Sequence, residues 1–132
     1  MISAIILAAG QSKRIVQENK LLKIYKKKPL VNHALNSVKK SNVNKIIIVL
    51  GHESSQVKKN IKKNKKIIFI VNNNYKKGMS SSIKTGIKRL SKKNKGFIII
   101  QSDMPFIKTI HINKICRSIQ KKKHLVHALK FK

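Results

Sequence analysis

The sequence predicts an α/β protein with a Rossmann-like three-layer fold, in which helices cover both faces of a mostly parallel sheet. Unbroken apolar runs, which are typical of strands buried on both faces, alternate with segments whose apolar residues recur at helical spacing. This alternation indicates parallel strands joined by crossover helices. The length of 132 residues suits a single domain with its own hydrophobic core.

Four apolar runs predict the parallel strands, at residues 2–8, 46–50, 67–71 and 97–100. Four amphipathic segments predict the helices. Their apolar positions are Leu30, Val31, Ala34, Leu35 and Val38, then Val57 and Ile61, then Met79, Ile83, Ile87 and Leu90, and finally Ile112, Ile115, Cys116 and Ile119. Residues 9–20 are expected to form a loop, and residues 125–131 the start of a fifth strand.

In such a sheet, right-handed crossovers bring the loops that follow the strands to one edge. Ligands of these folds bind outside the carboxyl ends of the strands. Residues 8–20, 51–56, 72–80 and 101–106 are therefore the candidate binding loops.

The charge of the chain is strongly positive, with 32 basic against 3 acidic residues and a formal net charge of +29. The arginines, however, are only Arg14, Arg89 and Arg117, and aromatic residues make up 5% of the chain. Specific readout of bases favours arginine, and single strands stack on aromatic rings. The composition therefore predicts non-specific association with nucleic acid and no more than that.

Three features indicate a cytoplasmic location without a membrane partner. No apolar run approaches the roughly 18 residues of a membrane span. The first residues lack the leading positive charge of a signal peptide. The single cysteine, Cys116, excludes an internal disulfide framework and fits a reducing compartment. Its isoleucine neighbours predict a buried, apolar thiol.

The first loop carries the pattern of an anion cradle. Small residues at Ala8, Ala9 and Gly10 let backbone N–H groups approach an anion, and glycine tolerates positive φ. Arg14 and Lys20 follow and are placed to neutralise phosphates. A small-residue turn followed by solvated cations explains the same residues equally well, because lysine is frequent throughout the chain.

The later loops offer polar candidates, each with a simpler alternative. Asp103 suits a divalent cation or, shortly before a proline, a helix N-cap. Asn72 suits contact with a base or ribose, or an Asx turn. The segment Gly78–Ser82 suits a nucleotide, or a helix capped by one serine. His52 is expected to be a solvated histidine at a helix start.

Five ordered segments resemble motifs of the MobA/MocA-like NTP transferase family, which includes the molybdenum cofactor cytidylyl- and guanylyltransferases. Leu7-Ala8-Ala9-Gly10-Gln11-Ser12-Lys13-Arg14, followed by Asn19-Lys20, is similar to the family's LAAGxSxR…NK. The other segments are Pro29-Leu30-Val31 with His33, Val49-Leu50-Gly51-His52, Asn72 with Tyr75, Gly78-Met79-Ser80-Ser81-Ser82 and Gly86, and Ser102-Asp103-Met104-Pro105. The resemblance covers nearly the whole chain.

The resemblance implies a nucleotide-diphospho-sugar transferase-like fold and a Mg²⁺-dependent reaction. Family members transfer a nucleoside monophosphate from an NTP to a phosphate on molybdopterin and release pyrophosphate. They act in molybdenum cofactor biosynthesis, which implies a molybdoenzyme as a further partner. Ala9 favours CTP, with GTP as the other candidate, because the GTP-using members more often read LAGG.

The resemblance also assigns roles to residues. Leu7, Ala8, Ala9 and Gly10 would cradle the nucleotide through main-chain groups. Arg14 and Lys20, the catalytic candidates, would hold the β- and γ-phosphates and stabilise the leaving pyrophosphate. The remaining nucleotide-binding candidates are Asn72, Gly78, Ser81 and Ser82, and Asp103 would bind Mg²⁺.

The sequence departs from the family pattern at three places. Ile15-Val16 replaces the usual Met-Gly, and Ser102 replaces the usual glycine. The chain ends at Lys132, whereas family members continue with a fifth strand, a glycine-rich substrate loop and a second acidic metal ligand. Residues 1–132 are therefore expected to be a single domain that lacks the family's C-terminal portion. A non-catalytic, basic nucleic-acid-binding protein and an inactive truncated paralogue are the alternatives.

Overall fold

A computed structural model describes the backbone of residues 1–10 and 20–121, together with the side chains of these residues except that of Lys20. The described elements occur in the order β1 (Ile2–Ala8), β2 (Ile24–Tyr25), β3 (Lys28–Pro29), α1 (Leu30–Lys39), β4 (Lys45–Leu50), α2 (Ser54–Lys59), β5 (Ile67–Val71), α3 (Met79–Lys88), β6 (Gly96–Gln101) and α4 (Thr109–Lys121). Short 3₁₀ turns lie at Lys20–Leu22 and Tyr75–Lys77.

The main sheet has the strand order β5-β4-β1-β6, and every pair in it is parallel. This confirms the predicted α/β fold with a parallel sheet. The four strands coincide with the four apolar runs to within a residue or two, because buried parallel strands consist of continuous apolar residues.

The two faces of β1 belong to different clusters of apolar side chains. Ala4 and Ile6 lie in the larger cluster, which includes residues of α1, α2 and α4. Ile5 and Leu7 lie in a smaller cluster on the other face, next to Ile83 of α3. The alternation of side chains along a strand produces this division, so helices cover both faces of the sheet.

Helix α3 approaches the sheet closely because it carries a glycine on its inner side. A Cβ atom on Gly86 would lie 2.6 Å from Cγ2 of Ile5. Only a residue without a side chain permits this spacing. The predicted helix extended to Leu90, whereas α3 ends at Lys88.

The hairpin formed by β2 and β3 is absent from the predicted elements. Its two turn residues, Lys26 and Lys27, have φ values of 44° and 70°. Asparagine and glycine are the usual residues for such a turn, so two lysines give no recognisable signal. Ile61 also differs from its prediction: α2 ends at Lys59, and Ile61 is buried just beyond it.

Cys116 is buried in the larger cluster, as expected for an apolar thiol, and burial raises its pKa. The described helices include none long and apolar enough to cross a membrane. The predicted fifth strand at residues 125–131 lies outside the described residues, as does most of the predicted loop at 9–20.

Candidate functional site

Three strand ends meet at the carboxyl edge of the sheet. β1 lies between β4 and β6, with Ala8 opposite Leu50 and Leu7 opposite Gln101. The chain passes from β1 outward through β4 to β5 and then returns to the other side of β1 as β6. In open α/β sheets, a reversal of strand order opens a crevice that binds ligands. The predicted binding loops after β1, β4 and β6 therefore surround this point.

Small residues let the loops after β1, β4 and β5 come together. Ala8 and Ala9 are buried, and the Ala9 carbonyl oxygen accepts a 3.1 Å hydrogen bond from the backbone N–H of His52. A Cβ atom on Gly51 would lie 2.7 Å from the Tyr75 Cβ and 2.8 Å from the Ala9 carbonyl oxygen. Only glycine at position 51 permits this approach.

The backbone conformation that requires glycine occurs at Gly78 rather than at Gly10. Gly78 has φ 107° and ψ −179°, a region that residues with a Cβ rarely adopt. Gly78 is the N-cap residue of α3, so the alternative of a serine N-cap is wrong. Gly10 is exposed, and a Cβ atom there would meet no atom of residues 1–10 or 20–121 within 4 Å.

Asp103 stands at the same edge, directly after β6. The preceding Ser102 is buried, and its hydroxyl donates a 2.6 Å hydrogen bond to the Leu7 carbonyl oxygen. The Ser102 backbone N–H donates to the same oxygen at 3.3 Å. Asp103 is half-buried in the turn that follows. The helix-cap interpretation of Asp103 is wrong, because α4 begins only at Thr109.

Asn72 connects the loop after β5 to the first turn of α3. Its side-chain amide nitrogen donates to the hydroxyl oxygens of Ser81 at 2.9 Å and Ser82 at 3.0 Å. Its side-chain oxygen accepts a 2.9 Å bond from the Asn74 backbone N–H, which confirms the Asx turn. The Ser81 hydroxyl also lies 2.7 Å from the Gly78 carbonyl oxygen, within hydrogen-bonding distance. These side chains thus form one hydrogen-bonded cluster.

The sequence-predicted site residues fall into two groups. Leu7, Ala8, Ala9 and Gly10 lie at the β1 loop, next to the turn of Asp103. The second group, at the start of α3, consists of Asn72, Gly78, Ser81 and Ser82. Arg14 lies outside the described residues, as does the Lys20 side chain, so their phosphate-binding roles remain predictions.

Three residues matter more than the sequence alone indicated. Ser102 ties β6 to β1, although its position was noted only as a departure from the family pattern. Glu53 pairs with His52, whose Nε2 lies 3.0 Å from the Glu53 carboxylate, so His52 is not simply a solvated side chain. The residue spacing carries no signal for either contact. The Ser102 contact depends on how β6 packs beside β1, and the His52–Glu53 contact on the left-handed conformation of Glu53.

The described carboxylates fit a magnesium ion only when the ion arrives with a nucleotide. Among residues 1–10 and 20–121, no three His, Cys, Asp or Glu side chains are grouped closely enough to hold a metal. Mg²⁺ usually takes one or two carboxylates and completes its octahedron with phosphate oxygens and water. Asp103 at the strand end supplies one such carboxylate.

The chain is similar to known proteins in sequence and in fold. The family model described as MobA-like NTP transferase domain matches residues 4–132. The chain is 30% identical over 105 residues to the bifunctional protein GlmU of Staphylococcus epidermidis, which covers 79% of the chain. That match spans 23% of GlmU, so the chain corresponds to only about a quarter of this relative.

Two solved structures share the fold. A nucleotidyl transferase from Methanothermobacter thermautotroptrophicus superposes with a TM-score of 0.78 at 20% identity, over 89% of this chain and 57% of the other. A 4-diphosphocytidyl-2C-methyl-D-erythritol synthase from Anaerococcus prevotii gives a TM-score of 0.75 at 21% identity, over 91% of this chain and 51% of the other.

Proposed function

The chain belongs to the MobA-like NTP transferase domain family, and on that basis we propose that it works as a nucleotidyltransferase. In this proposal it transfers a nucleoside monophosphate from an NTP to a phosphorylated acceptor and releases pyrophosphate. CTP is the favoured donor and GTP the second candidate. A molybdopterin-type compound is the acceptor, in a molybdenum cofactor pathway that would supply a molybdoenzyme partner.

One observation carries the proposal. Ser102 fastens the end of β6 to Leu7, which brings the turn of Asp103 beside the small-residue loop after β1. Phosphoryl chemistry depends on positioning and charge neutralisation more than on covalent help from the protein. A carboxylate for Mg²⁺ next to a loop open to an anion provides both requirements at one point.

The proposed roles of the individual residues are based on the geometry of the site and on the family resemblance. Asp103 would hold Mg²⁺, which when bound neutralises phosphate charge and orients the phosphates. Ala8, Ala9 and Gly10 would present main-chain groups to the nucleotide, while Arg14 and Lys20 would stabilise the pyrophosphate as it leaves. Asn72 would act by fixing the loop before α3, because its amide already bonds Ser81 and Ser82.

The preference for CTP and the nature of the acceptor are the finer parts of the proposal. Ala9 supports CTP through the LAAG resemblance, and the similar Anaerococcus prevotii structure is by its name a diphosphocytidyl compound synthase. The choice of molybdopterin rests on the resemblance alone. The chain is also similar to GlmU, a protein whose name does not refer to molybdopterin. The acceptor therefore has to be tested in a separate assay.

Thermal unfolding with each of the four NTPs tests the proposal. A ligand that binds only the folded chain stabilises it by RT ln(1 + L/Kd) at a free ligand concentration L, so Tm rises with the logarithm of that concentration once it exceeds Kd. We expect CTP to raise Tm in the presence of Mg²⁺ and to lose most of this effect in EDTA. A flat response to all four NTPs in Mg²⁺ would contradict the proposal.

Two variants locate the metal effect. Asp103→Asn should abolish the difference between Mg²⁺ and EDTA, because it removes the proposed ligand. Glu53→Gln removes a carboxylate that is not a proposed metal ligand, so Tm with CTP should still fall when EDTA replaces Mg²⁺. If Asp103→Asn retained the full Mg²⁺ effect, the assignment of Asp103 would be wrong.

A second candidate function is non-specific binding of nucleic acid at the opposite edge of the sheet. The Lys66 ammonium reaches the end of α1 there, 3.3 Å from the Lys39 carbonyl oxygen. Burial lowers the pKa of Lys39, and repulsion from Lys62 lowers it further. Converging cations of this kind attract polyanions. This function predicts binding that weakens steeply with salt and is indifferent to Asp103→Asn.

A further inference from the structure

The half-buried rings of His52 and Tyr75 lie beside the loop after β1, and the proposed function gives neither ring a role. The ring centroids of His52 and Tyr75 are 6.0 Å apart, with an interplanar angle of 52°. The backbone N–H of His52 is bonded to the Ala9 carbonyl oxygen, and Tyr75 packs against the apolar cluster that contains Ala9. Both rings are thus anchored to the loop that would cradle the nucleotide.

Gly51 makes this arrangement possible. A methyl group at position 51 would lie 2.7 Å from the Tyr75 Cβ and 2.8 Å from the Ala9 Cβ, closer than side-chain atoms approach in proteins. The loops after β1, β4 and β5 therefore converge on one small residue. The positions of the two rings are therefore set by the packing of the main chain in these loops.

Glu53 fixes the imidazole in place. Its carboxylate lies 3.0 Å from Nε2 of His52, and about a third of each side chain is exposed. Glu53 has φ 52°, in the left-handed region that is uncommon for a residue with a side chain. Its side chain makes no capping hydrogen bond to α2. The chain has 3 acidic residues, and the carboxylate of this one contacts a histidine.

The position of the rings relative to Asp103 indicates what they contact. β4, which leads to His52, and β6, which leads to Asp103, lie on opposite sides of β1. Two strand spacings separate them by about 10 Å. The ribose and α-phosphate of a nucleotide can bridge a comparable length, so a nucleotide whose phosphates share a metal with Asp103 has room to place its base beside these rings.

We propose that His52 and Tyr75 form the surface on which the nucleobase of the NTP packs, and that Glu53 is the positioning residue for His52. This inference rests on the proposed function and names the part of the nucleotide that these loops bind. Aromatic rings bind every base through its π-face. The surface therefore supplies affinity for nucleotides in general, and the choice among bases is made by other groups.

A ligand without a base separates this surface from the phosphate site. The test measures calorimetric affinities for Mg²⁺-CTP and for Mg²⁺-tripolyphosphate, which has three phosphates but neither base nor ribose. The wild-type chain should bind CTP more tightly. Tyr75→Leu should weaken CTP binding about tenfold and leave tripolyphosphate binding unchanged. Tyr75→Phe keeps the ring and should restore CTP binding.

His52 and Glu53 are tested in the same way. His52→Asn should weaken CTP binding and not tripolyphosphate binding, since its backbone bond to Ala9 remains. Glu53→Gln should produce a smaller loss of the same selectivity. It should also move the imidazole ¹⁵N resonances of His52, a signature that general destabilisation would not produce.

Each outcome decides the inference. Equal losses for both ligands in Tyr75→Leu and His52→Asn would overturn it, as would no loss in either, while the proposed function would stand. If the wild-type chain bound neither ligand, the proposed function would fail and this inference with it. Should Tyr75→Leu not fold by circular dichroism, the result for His52→Asn decides the inference instead.

Discussion

A serine hydroxyl fastens two strands at the proposed site. Ser102 is 2% exposed, and its hydroxyl lies 2.6 Å from the Leu7 carbonyl oxygen. A glycine at this position, which is the residue that the family resemblance leads one to expect, would remove the 2.6 Å bond and keep the longer backbone bond at 3.3 Å. The substitution therefore strengthens the junction between β1 and β6 beside Asp103.

Ser102→Ala should lower the free energy of unfolding by about 1 kcal/mol, the usual contribution of one hydrogen bond. Urea unfolding measures this change. Ser80→Ala, at an exposed position in the first turn of α3, is the control and should have little effect. Equal stability of Ser102→Ala and wild type would show that the hydroxyl does not hold the strands together.

Gly78→Ala should destabilise the chain by about 1–3 kcal/mol, because φ 107° with ψ −179° is costly for a residue with a Cβ. The cost comes from the backbone alone, since a Cβ atom at Gly78 would meet nothing within 4 Å. Gly10→Ala enters equally open space without a positive φ and is the matched control. A loss in Gly10→Ala as large as that in Gly78→Ala would contradict this explanation.

At this scale the sequence predicted which loops carry the polar groups but not what the groups contact. Asn72 had two interpretations, and the Asx turn was settled only by the placement of Asn74. Asp103 also had two interpretations, a cation ligand and a helix cap, and the cap was excluded only by the start of α4 at Thr109. The pair of His52 and Glu53 depends on a left-handed residue that no local pattern requires.

The secondary structure elements were more predictable than the individual contacts. Strands β1, β4, β5 and β6 follow from unbroken apolar runs, and α1 matches its predicted stripe closely. The hairpin of β2 and β3 was missed because its turn consists of lysines. The buried strands are visible in the sequence because burial requires continuous apolar residues. The hairpin depends on the backbone geometry of its turn, and its lysines do not reveal that geometry.

Gly86→Ala tests how α3 packs on the sheet. Its Cβ would lie 2.6 Å from Cγ2 of Ile5, so the helix must move or Ile5 must change rotamer. We expect a loss of about 1–3 kcal/mol in unfolding free energy, which is typical of overpacking.

The double variant Gly86→Ala with Ile5→Ala provides the control for this contact. Removing the Ile5 side chain removes the clash, so the combined loss should be smaller than the sum of the single losses. Strict additivity in chemical unfolding would show that Gly86 and Ile5 do not interact.

The whole molecule combines a well-packed sheet with a large positive charge. The formal charge of +29 acts against compactness through repulsion among the lysines. Among the residues that the structure describes, Glu53 and Asp103 are the acidic ones, and both follow strands at the carboxyl edge. The amino-edge loops at 62–66 and 92–95 consist of lysines and one asparagine each, and neither contains an acidic residue.

Tm should rise by several degrees when sodium chloride is increased from 0.01 M to 0.1 M. The screening length falls from about 30 Å to about 10 Å over this range, which reduces repulsion between separate lysine clusters. Differential scanning calorimetry measures the change. Chloride is preferable to sulfate, because sulfate strengthens apolar burial by itself. A constant or falling Tm would show that repulsion does not limit stability.

The central claim is that a nucleotide binds where the loops after β1, β4 and β6 meet. Titration of the ¹⁵N-labelled chain with Mg²⁺-CTP, followed through backbone amide shifts, tests it most directly. The account predicts the largest shifts at residues 8–10, at His52 and at Ser102–Asp103, with small changes in the amino-edge loops. Shifts confined to residues 62–66 and 92–95 would contradict it, because CTP would then be acting as one anion among many on a basic surface.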